Sequence, residues 1–512
     1  MSPILAKILF SFVLIANVES YKILMVFNGV APSHFFLGNS LGRALAKNGH
    51  EVTMVSPFED KDKPTGYKEV VLTDFLAGSE EIAELADIFK FEGMNLFSQV
   101  LFFNKFLTEC TKATLNHPNF QKLLESNESF DVVIIEQFKQ EGLHVLQCHY
   151  KAPLILVNTL GSSVWINPYV GNPAPPSYIP YFFTHFSEKM DFWERGFNSM
   201  LVLFEQVLLH FSIHPNQHAI AISKFPHCAN EKFWNNISLL FLNAHESLTQ
   251  PVPLVPNMIN IGGYHIDSPK ELPKDLKNLL DGAEEGVIYF NLGSNVKSSL
   301  IKPDIKEAIV NCLGKLPYKI LWKYEDESFK PPNNVEIRKW FPQQDILAHP
   351  NVKLFITHGG LLSLTESIHY GVPVLVLPVF GDQKMNAARV ENEGYGIKIP
   401  FSQINEERFT NALNKLLNDN KYLETARKVS DLFHDRPIKP MDLAIYWTEY
   451  IAKHKGAPHL RVAALDLSWY QYFLLDVIAF IVVIVVLIVV TTIYVLCRKF
   501  GFLKKIKKTK ND

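Results

Sequence analysis

The stretch that decides the fold reads Phe355-Ile-Thr-His-Gly-Gly-Leu-Leu-Ser-Leu-Thr-Glu-Ser-Ile-His-Tyr-Gly-Val-Pro-Val-Leu-Val-Leu-Pro-Val-Phe-Gly-Asp-Gln383. An apolar run, Val352 to Ile356, stops at a Thr-His-Gly-Gly step, and apolar residues then recur at helical spacing. A second apolar run, Val374 to Leu377, follows Gly371. This order predicts a strand, a tight glycine turn, a helix and a further strand.

The glycine turn of this stretch is suited to binding phosphate. Its glycines let an anion approach the free backbone N–H groups and the positive end of the helix dipole. His358 adds a side-chain donor beside Gly360, Glu366 follows on the helix, and Asp382 and Gln383 follow the second strand. Because the carboxyl ends of parallel strands line one crevice, we expect these groups to converge on one ligand.

The same window resembles, position for position, the signature of the UDP-glycosyltransferase family, including Pro373, Pro378 and the closing Asp-Gln. About a dozen specified positions in one window make this match specific. The resemblance extends over nearly the whole chain. It implies an α/β fold with two facing Rossmann-like doubly wound domains, the glycosyltransferase B architecture, plus one C-terminal transmembrane helix.

Length and charge limit the classes of protein to consider. A chain of 512 residues is too long for one hydrophobic core, so two or more domains are expected. The net charge of −2 favours no nucleic-acid partner. Whether the chain forms homo-oligomers is left open.

The two ends of the chain carry membrane and targeting signals. Residues 1–20 contain Lys7, an apolar run and a small-residue cleavage site, which predicts a secretory signal peptide. Residues 472–497 are almost wholly apolar, apart from Asp476 near their start, and are long enough to cross a bilayer of roughly 30 Å. Residues 498–512 are rich in lysine, which predicts a cytosolic tail and luminal catalytic domains.

The tail also suggests a compartment. Lys508 and Lys510 resemble a dilysine retrieval signal of the endoplasmic reticulum, although a basic stop-transfer flank would explain the lysines equally well. We therefore predict a single-pass type I protein of that membrane. Two acceptor sequons, at Asn127 and Asn236, fit luminal exposure and glycosylation, though such triplets also arise by chance.

The first half, residues 21–264, opens with a predicted βαβ unit: a strand at Tyr21 to Phe27, a helix at Phe35 to Lys47 and a second strand. His34 precedes the helix, and Glu136 ends a later strand, so both are expected at the carboxyl edge of the sheet. A histidine oriented by a carboxylate can act as a general base. A helix cap or a packed surface group is the alternative for His34.

The resemblance supports the catalytic interpretation of this pair. Family members carry the catalytic base in a Ser-His step after the first strand, which matches Ser33-His34. The family's orienting carboxylate is usually Asp, whereas this chain has Glu136, which is one methylene longer.

The second half is predicted to follow a linker at residues 265–285 and to span residues 286–471, including a return helix. Its first strand runs into Ser294, whose hydroxyl could reach a phosphate, or could simply cap a turn. Trp340 could stack on a base and Gln343 could read its edge, although a Trp at a strand end is more often core.

The resemblance implies donor-binding roles for a set of residues in this half. Trp340 and Gln343 match the family's uracil-binding Trp-x-Pro-Gln motif. Ser294, His358 and the Gly360 backbone would hold the diphosphate, Glu366 the ribose, and Asp382 and Gln383 the sugar. One departure is Leu362, where many members carry Asn.

Two patterns resemble metal sites but are better explained without metal. Asp60-Lys-Asp62 has the spacing of a cation site, yet it lies in a charged loop far along the chain from the phosphate turn. His214 and His218 stand at helical spacing, but Pro215 argues against a regular helix there. We predict no metal and no cofactor, with the UDP-sugar as a co-substrate. Four cysteines, Cys110, Cys148, Cys228 and Cys312, allow three pairings or free thiols.

The sequence constrains the identities of the acceptor and of the transferred sugar less than it constrains the fold. The Pro-rich, aromatic segment Asn158 to Met190 suits a small lipophilic acceptor, as in detoxification, although a packed surface loop is the alternative. Family members that use glucuronic acid carry Arg between two prolines, where this chain has Val252, which favours UDP-glucose. UDP-glucuronosyl transfer and a non-catalytic binding protein of the same fold are the alternatives. A single-pass receptor is disfavoured by the short tail.

Overall fold

The computed structural model describes residues 19–75, 88–231, 234 and 236–508, and it describes the backbone alone for 501–508. Of the predicted signal peptide, residues 1–20, only residues 19 and 20 are among the described residues. Lys510 of the predicted retrieval signal lies outside them. The chain divides into two compact units, Met1–Leu460 and Arg461–Asp512.

The first sheet of the larger unit has seven parallel strands in the order β3-β2-β1-β4-β5-β6-β7. Its strands are β1 Lys22–Val26, β2 Glu51–Ser56, β3 Tyr67–Val71, β4 Val132–Glu136, β5 Leu154–Asn158, β6 Ile237–Leu242 and β7 Met258–Asn260. The helices of this half are α1 Pro32–Lys47, α2 Leu96–Asn116, α3 Pro118–Leu124, α4 Leu146–Tyr150, α5 Phe192–Leu208 and α6 His214–Lys224, with a π-helical turn at Leu209–Ile213.

The second sheet has six parallel strands in the order β10-β9-β8-β11-β12-β13. Its strands are β8 Val287–Asn291, β9 Lys319–Lys323, β10 Val335–Arg338, β11 Val352–Thr357, β12 Val374–Val376 and β13 Gly396–Lys398. Its helices are α7 Lys274–Asp281, α8 Pro303–Gly314, α9 Gln343–Leu347, α10 Leu361–His369, α11 Gln383–Glu393, α12 Glu406–Asn418, α13 Asn420–His434 and α14 Pro440–Lys453.

Both sheets are covered on two faces, which explains why their central strands are continuous apolar runs. β1 pairs with β2 on one side and β4 on the other, and β11 pairs with β8 and β12. The strand, glycine turn, helix and strand predicted around His358 are therefore β11, α10 and β12. The predicted α/β fold with two doubly wound sheets is confirmed.

In the larger unit, side chains from each half pack into the hydrophobic core of the other half. Phe91 from the first half is buried in a core cluster of the second sheet, while Phe380 and Met385 from the second half pack against the core of the first. The return helix α14 buries Ala444 and Ile451 in the cluster that covers β1. The halves therefore meet through packed apolar contacts as well as through the covalent linker.

The segment 265–285 is more ordered than a simple linker. It contains helix α7, whose Leu276 and Leu280 are buried in a core cluster of the second sheet. The sequence pattern was too short and too charged to indicate this helix. Tertiary burial of two leucines one turn apart stabilises it.

In the smaller unit the described residues form a 3₁₀ turn, Ala463–Asp466, and the helices α15 Trp469–Tyr472 and α16 Leu475–Lys508. Residues Leu475–Phe500 of α16 are long and apolar enough to cross a membrane, as the sequence predicts for 472–497. Ser468 and Gln471 form a capping box at the start of α15. The basic tail, predicted as residues 498–512, continues the same helix to Lys508.

The structure selects one cysteine pairing. Cys148 and Cys228 form a disulfide, and Cys110 and Cys312 are buried free thiols. Both predicted sequon asparagines, Asn127 and Asn236, are exposed.

Candidate active site

His34 and Glu136 form a hydrogen-bonded pair at the carboxyl edge of the first sheet. Nδ1 of His34 pairs with Oε1 of Glu136, and the backbone N–H of Gly29 donates to Oε2 at 3.2 Å. Glu136 is fully buried, whereas the His34 side chain is 20% exposed. Because Nδ1 is engaged by the carboxylate, Nε2 is the nitrogen that can accept a proton.

Local backbone geometry holds this pair together. The predicted start of the helix at Phe35 was wrong, because α1 begins at Pro32, a residue favoured in the first helical turn. His34 therefore lies within that turn and not in the loop before it. A Cβ at Gly29 would lie 2.8 Å from Oε2 of Glu136 and 3.0 Å from Cβ of His34, so the pair requires glycine there.

The electrostatic surroundings of His34 favour its protonated form. Burial by itself lowers the pKa of His34, but the charge of Glu136, its hydrogen bond and the charge of Asp382 together outweigh burial and raise the pKa above the ordinary value. The pair therefore stabilises an imidazolium once Nε2 has taken a proton.

Asp382 connects the histidine to the glycine turn of the second half. Nδ2 of Asn386 donates to Oδ2 of Asp382 at 2.7 Å and to the carbonyl of Gly359 at 2.9 Å. Burial raises the pKa of Asp382 to about 6, although Asn386, its own backbone and His34 act in the opposite direction. His34 is therefore close enough to Asp382 for their charges to interact, and Asn386 joins Asp382 to the glycine turn.

The glycine turn itself is fixed by close packing. Gly359 has φ of +88°, and a Cβ there would lie 2.6 Å from Cγ1 of Val376. Gly360 caps α10 without a side-chain hydrogen bond, so the first N–H groups of this helix remain for a ligand. An anion at this end of α10 would be stabilised by those groups and by the helix dipole.

The imidazole of His358 lies between two glycines. A Cβ at Gly293 would lie 2.6 Å from Cε1 and 2.8 Å from Nε2 of His358, and a Cβ at Gly360 would lie 2.7 Å from Nε2. Burial, and then the charge of Lys323, lower the pKa of His358 to about 4. The side-chain donor expected from the sequence is therefore a neutral imidazole and not a cation.

The cation of this site is Lys323, which the sequence analysis missed. Lys323 ends β9, its Nζ donates to the carbonyl of Gly293 at 2.8 Å, and it lies 3.2 Å from Oε1 of Glu325. Because β9, β8 and β11 are neighbours, this lysine reaches the same sheet edge as His358. The one available signal was a lysine at the carboxyl end of β9, directly after the apolar run Ile320 to Trp322.

Glu366 is the centre of a hydrogen-bonded cluster on α10. Its Oε2 accepts from Nε2 of Gln343 at 2.6 Å, and its Oε1 accepts from Nε2 of Gln344 at 3.0 Å. Nε2 of His265 lies 3.5 Å from Oε1. The sequence analysis identified neither Gln344 nor His265, because their proximity to Glu366 depends on tertiary packing.

The side-chain amide of Gln343, which is predicted to read a base edge, has partners within the protein. Its Nε2 donates to Glu366, and its Oε1 accepts from Nδ2 of Asn291 at 2.6 Å. The amide therefore orients Glu366 within the protein. Trp340, by contrast, is 72% exposed while the next residue, Phe341, is buried, so its indole is available for stacking.

The other residues that the sequence predicts to bind the donor lie at the same edge of the second sheet. Ser294 follows β8 in a partly buried turn next to Gly293, whose φ is +84°. Gln383 is buried at the start of α11, and its Oε1 accepts the backbone N–H groups of Val379 and Phe380 at 2.8 and 3.1 Å. Leu362, the departure from the family pattern, packs against the core cluster that covers β1.

The side chains in the two sequence patterns that resemble metal sites contact other side chains of the protein. Asp60 is paired with Arg43, and His214 stacks on Trp234 with ring centroids 5.2 Å apart. The argument from Pro215 was wrong, because this proline lies in the first turn of α6. Within the described residues one group of metal-ligating side chains clusters, Cys148, His227 and Cys228, and its two sulfurs form the disulfide.

Aromatic rings surround His34 on the side of the first half. Phe138 contacts the imidazole edge at a centroid distance of 5.1 Å, and Trp165 contacts Phe138 at 5.9 Å. The segment Asn158 to Met190 is irregular apart from one short turn, and Tyr181, Phe182 and Phe183 within it are buried in the first core. Much of its aromatic content therefore forms core.

Comparisons with known proteins agree with this arrangement. The calicheamicin glycosyltransferase CalG4 aligns with a TM-score of 0.55 at 18% identity, covering 85% of this chain and 99% of that one. The spinosyn forosaminyltransferase SpnP aligns with a TM-score of 0.57 at 16% identity, covering 85% and 100%. The fold is that of the glycosyltransferases of the B architecture.

Sequence comparisons identify the family within this class. The family model described as "UDP-glucoronosyl and UDP-glucosyl transferase" matches residues 30–512. UDP-glycosyltransferase UGT5 of Dactylopius coccus is 37% identical, covering 90% of this chain and 89% of the relative. Human UDP-glucuronosyltransferase 1A8 is 35% identical, covering 95% and 92%. The chain belongs to the UDP-glycosyltransferase family and is a glycosyltransferase, as its sequence signature predicts.

The charge of Glu136 should set the pH dependence of the reaction. In Glu136→Gln the raised pKa of His34 falls, since burial is then opposed by less negative charge, and the acid limb of kcat/KM should move to lower pH while kcat falls. Glu136→Asp keeps the charge and should keep the acid limb near its original position. An acid limb that does not move in Glu136→Gln would contradict the pairing.

Gly293→Ala tests the packing of His358. A Cβ there strains the backbone by about 1–2 kcal/mol and displaces the imidazole. UDP affinity, measured by calorimetry, should weaken by roughly 1–2 kcal/mol, or about 5- to 30-fold.

The matched control is Gly394→Ala, because Gly394 has a similar φ of +81° but open space around its Cβ position. It should lose stability without losing UDP affinity. Equal loss of affinity in both variants would show that His358 does not depend on Gly293.

Proposed function

We propose that the protein transfers a hexose from a UDP-sugar to a hydroxyl group of a small lipophilic acceptor, with inversion at the anomeric carbon. The observation that supports this most directly is the proximity of Asp382 to His34. The charge of Asp382 acts on His34, and Asn386 donates both to Asp382 and to the carbonyl of Gly359, just ahead of α10.

The transfer would be a single displacement. Nε2 of His34 takes the proton of the acceptor hydroxyl, the acceptor oxygen bonds to the anomeric carbon, and the bond from that carbon to UDP breaks with its electron pair on UDP. Glu136 stabilises the imidazolium. The α10 N-terminus and the neutral His358 donate hydrogen bonds to the charge that develops on the diphosphate, with Lys323 nearby.

The donor contacts follow from the same geometry. Trp340 would stack on the uracil, Glu366 would accept the ribose hydroxyls, and Ser294 would reach a phosphate oxygen. Asp382 and the amide nitrogen of Gln383 would bind the sugar hydroxyls. Two partly buried glutamines, Gln343 and Gln344, fix the carboxylate of Glu366, so ribose would meet a preorganised acceptor.

Replacing the base tests the chemistry separately from donor binding. His34→Ala should lower kcat by about 10²–10⁴-fold, the usual contribution of a positioned general base. UDP affinity, measured by calorimetry on the same preparation, should stay the same. Turnover close to that of the unaltered protein would remove His34 from the mechanism.

We favour UDP-glucose as the donor. Val252 stands where glucuronate-using members carry Arg, and an uncharged side chain there cannot pair with a sugar carboxylate. One relative is named UDP-glucosyltransferase 2 of Dactylopius coccus, at 34% identity, but another is a glucuronosyltransferase, so relatives alone do not decide the sugar.

A donor competition tests this preference. The protein offered UDP-glucose and UDP-glucuronate with one acceptor should show a kcat/KM higher for UDP-glucose by about tenfold or more, since a hydrogen bond to a charged group contributes about 1.5–3 kcal/mol and Val252 cannot make one to the sugar carboxylate. A preference for UDP-glucuronate would overturn the proposal for the sugar and leave the base and the phosphate site untouched.

The reaction should not require a metal ion. Backbone N–H groups, His358 and Lys323 already supply hydrogen bonds and positive charge where the diphosphate would lie. Turnover measured after treatment with EDTA should equal untreated turnover. Activity lost on chelation and restored by Mg²⁺ would contradict this expectation.

We further propose that α16 anchors the protein in the endoplasmic-reticulum membrane as a single-pass type I protein with a luminal catalytic unit. Trp469, Tyr470 and Tyr472 are exposed just ahead of the apolar helix, where aromatic rings favour a membrane interface. The lysines that follow the span support a cytosolic tail. Exposed Asn127 and Asn236 and the disulfide Cys148–Cys228 are consistent with a lumen.

A further inference from the structure

His265 is a buried histidine at the junction of the two halves. It lies between β7, which ends at Asn260, and α7, which begins at Lys274. His265 is 2% exposed, and within the part of the chain that the structure describes neither of its ring nitrogens has a hydrogen-bond partner. Buried polar groups are nearly always hydrogen-bonded, so a buried imidazole without a partner is a candidate for a functional role.

The ring of His265 lies beside the carboxylate of Glu366. Nε2 of His265 is 3.5 Å from Oε1 of Glu366, somewhat longer than the usual N–H···O distance of about 2.7–3.2 Å. Among the described residues, no other side chain that can carry a positive charge forms an ion pair with this carboxylate. Glu366 is buried as well, and a buried carboxylate is stabilised by groups that donate to it.

Gln344 ties the backbone of the junction to the same carboxylate. Its Nε2 donates to Oε1 of Glu366 at 3.0 Å and to the carbonyl of His265 at 3.4 Å. Its Oε1 accepts the backbone N–H of Asp267 at 3.3 Å. One glutamine side chain therefore fixes residues 265 and 267 relative to Glu366, so the short distance between imidazole and carboxylate is a consequence of this packing.

The ring of His265 also contacts the first half. The ring of Phe36 meets it edge to face, with centroids 6.0 Å apart. Phe36 lies on α1, two residues beyond His34. His265 therefore contacts both the helix that carries the proposed base and the helix that carries Glu366, and these contacts hold its ring next to Oε1.

We propose that His265 is a positioning residue of the ribose site, in which an N–H group at Nε2 donates to Oε1 of Glu366 when the nucleotide is bound. The inference rests on the role of Glu366 in binding ribose under the proposed function. Gln343 and Gln344 each donate to one oxygen of the carboxylate, but both are neutral amides. An imidazole N–H adds a third, charge-assisted hydrogen bond, so that the ribose hydroxyls meet a carboxylate fixed from three directions.

A comparison of UDP with 2′,3′-dideoxy-UDP tests this role, because the second nucleotide lacks both hydroxyls that Glu366 would accept. Both affinities are measured by calorimetry on the full chain in detergent micelles. The unaltered protein should bind UDP tighter by about tenfold or more, since hydrogen bonds to a charged group are strong. In Glu366→Gln the ratio of the two affinities should fall to about threefold or less.

His265→Phe keeps a ring against Phe36 and removes both nitrogens, so the affinity ratio should again fall to about threefold or less. His265→Gln places an amide nitrogen near the position of Nε2 and should keep most of the ratio of the unaltered protein. His265→Asn is one methylene shorter, does not reach Oε1 and should behave like His265→Phe. It takes the place of His265→Phe if that variant does not fold.

The matched control is Tyr264→Phe. Tyr264 precedes His265 in the junction, it is buried, and its hydroxyl has no hydrogen-bond partner among the described residues. This variant changes the packing of the same segment without touching Glu366. Its affinity ratio should equal that of the unaltered protein.

Two results would overturn the role of His265 in different ways. If His265→Phe and His265→Asn weaken UDP and dideoxy-UDP by the same factor, the ring serves packing alone. If the unaltered protein binds both nucleotides equally well, Glu366 does not read the ribose, and the role of His265 falls with that part of the proposed function. In the second case the base and the phosphate site are unaffected, and the His34→Ala experiment tests them separately.

Discussion

The hydrogen bond between His34 and Glu136 depends on the pairing of β1 with β4. These residues are far apart in the chain, yet parallel strands that lie side by side bring their carboxyl ends to one edge. The second sheet repeats the arrangement, since β8, β9 and β11 bring Gly293, Lys323 and His358 together. The chemistry is thus a consequence of strand order.

The pKa values of the two histidines of the site are shifted in opposite directions. His34 lies beside two carboxylates and has a raised pKa, whereas His358 is buried near Lys323 and has a pKa of about 4. One is suited to take a proton and the other to donate a neutral hydrogen bond. The difference follows from neighbouring charges, because both rings are largely enclosed by protein.

The sequence predicts best those structural features that depend on the local pattern of residues. The apolar runs on both sides of His358 and the glycines between them define β11, α10 and β12 without tertiary information, and the family signature extends this to both sheets. Contacts that depend on packing were not predictable. The hydrogen bond from the side-chain amide of Gln343 to Glu366 depends on packing. Gln344 and His265 carry no local signal, and the signal of Lys323 is only its position at the carboxyl end of β9. Likewise, Pro215 begins a helix that follows a π-turn, and α7 forms because Leu276 and Leu280 find a core to fill.

The central claim is that the first turn of α10 holds a uridine nucleotide opposite His34. A solved structure of the protein with UDP bound tests it most directly. The account predicts the β-phosphate within hydrogen-bond distance of the α10 N-terminus and of His358, the uracil against Trp340, and Nε2 of His34 facing the same space across the cleft. A diphosphate bound away from α10, or a His34 ring turned out of the nucleotide's cleft, would contradict it.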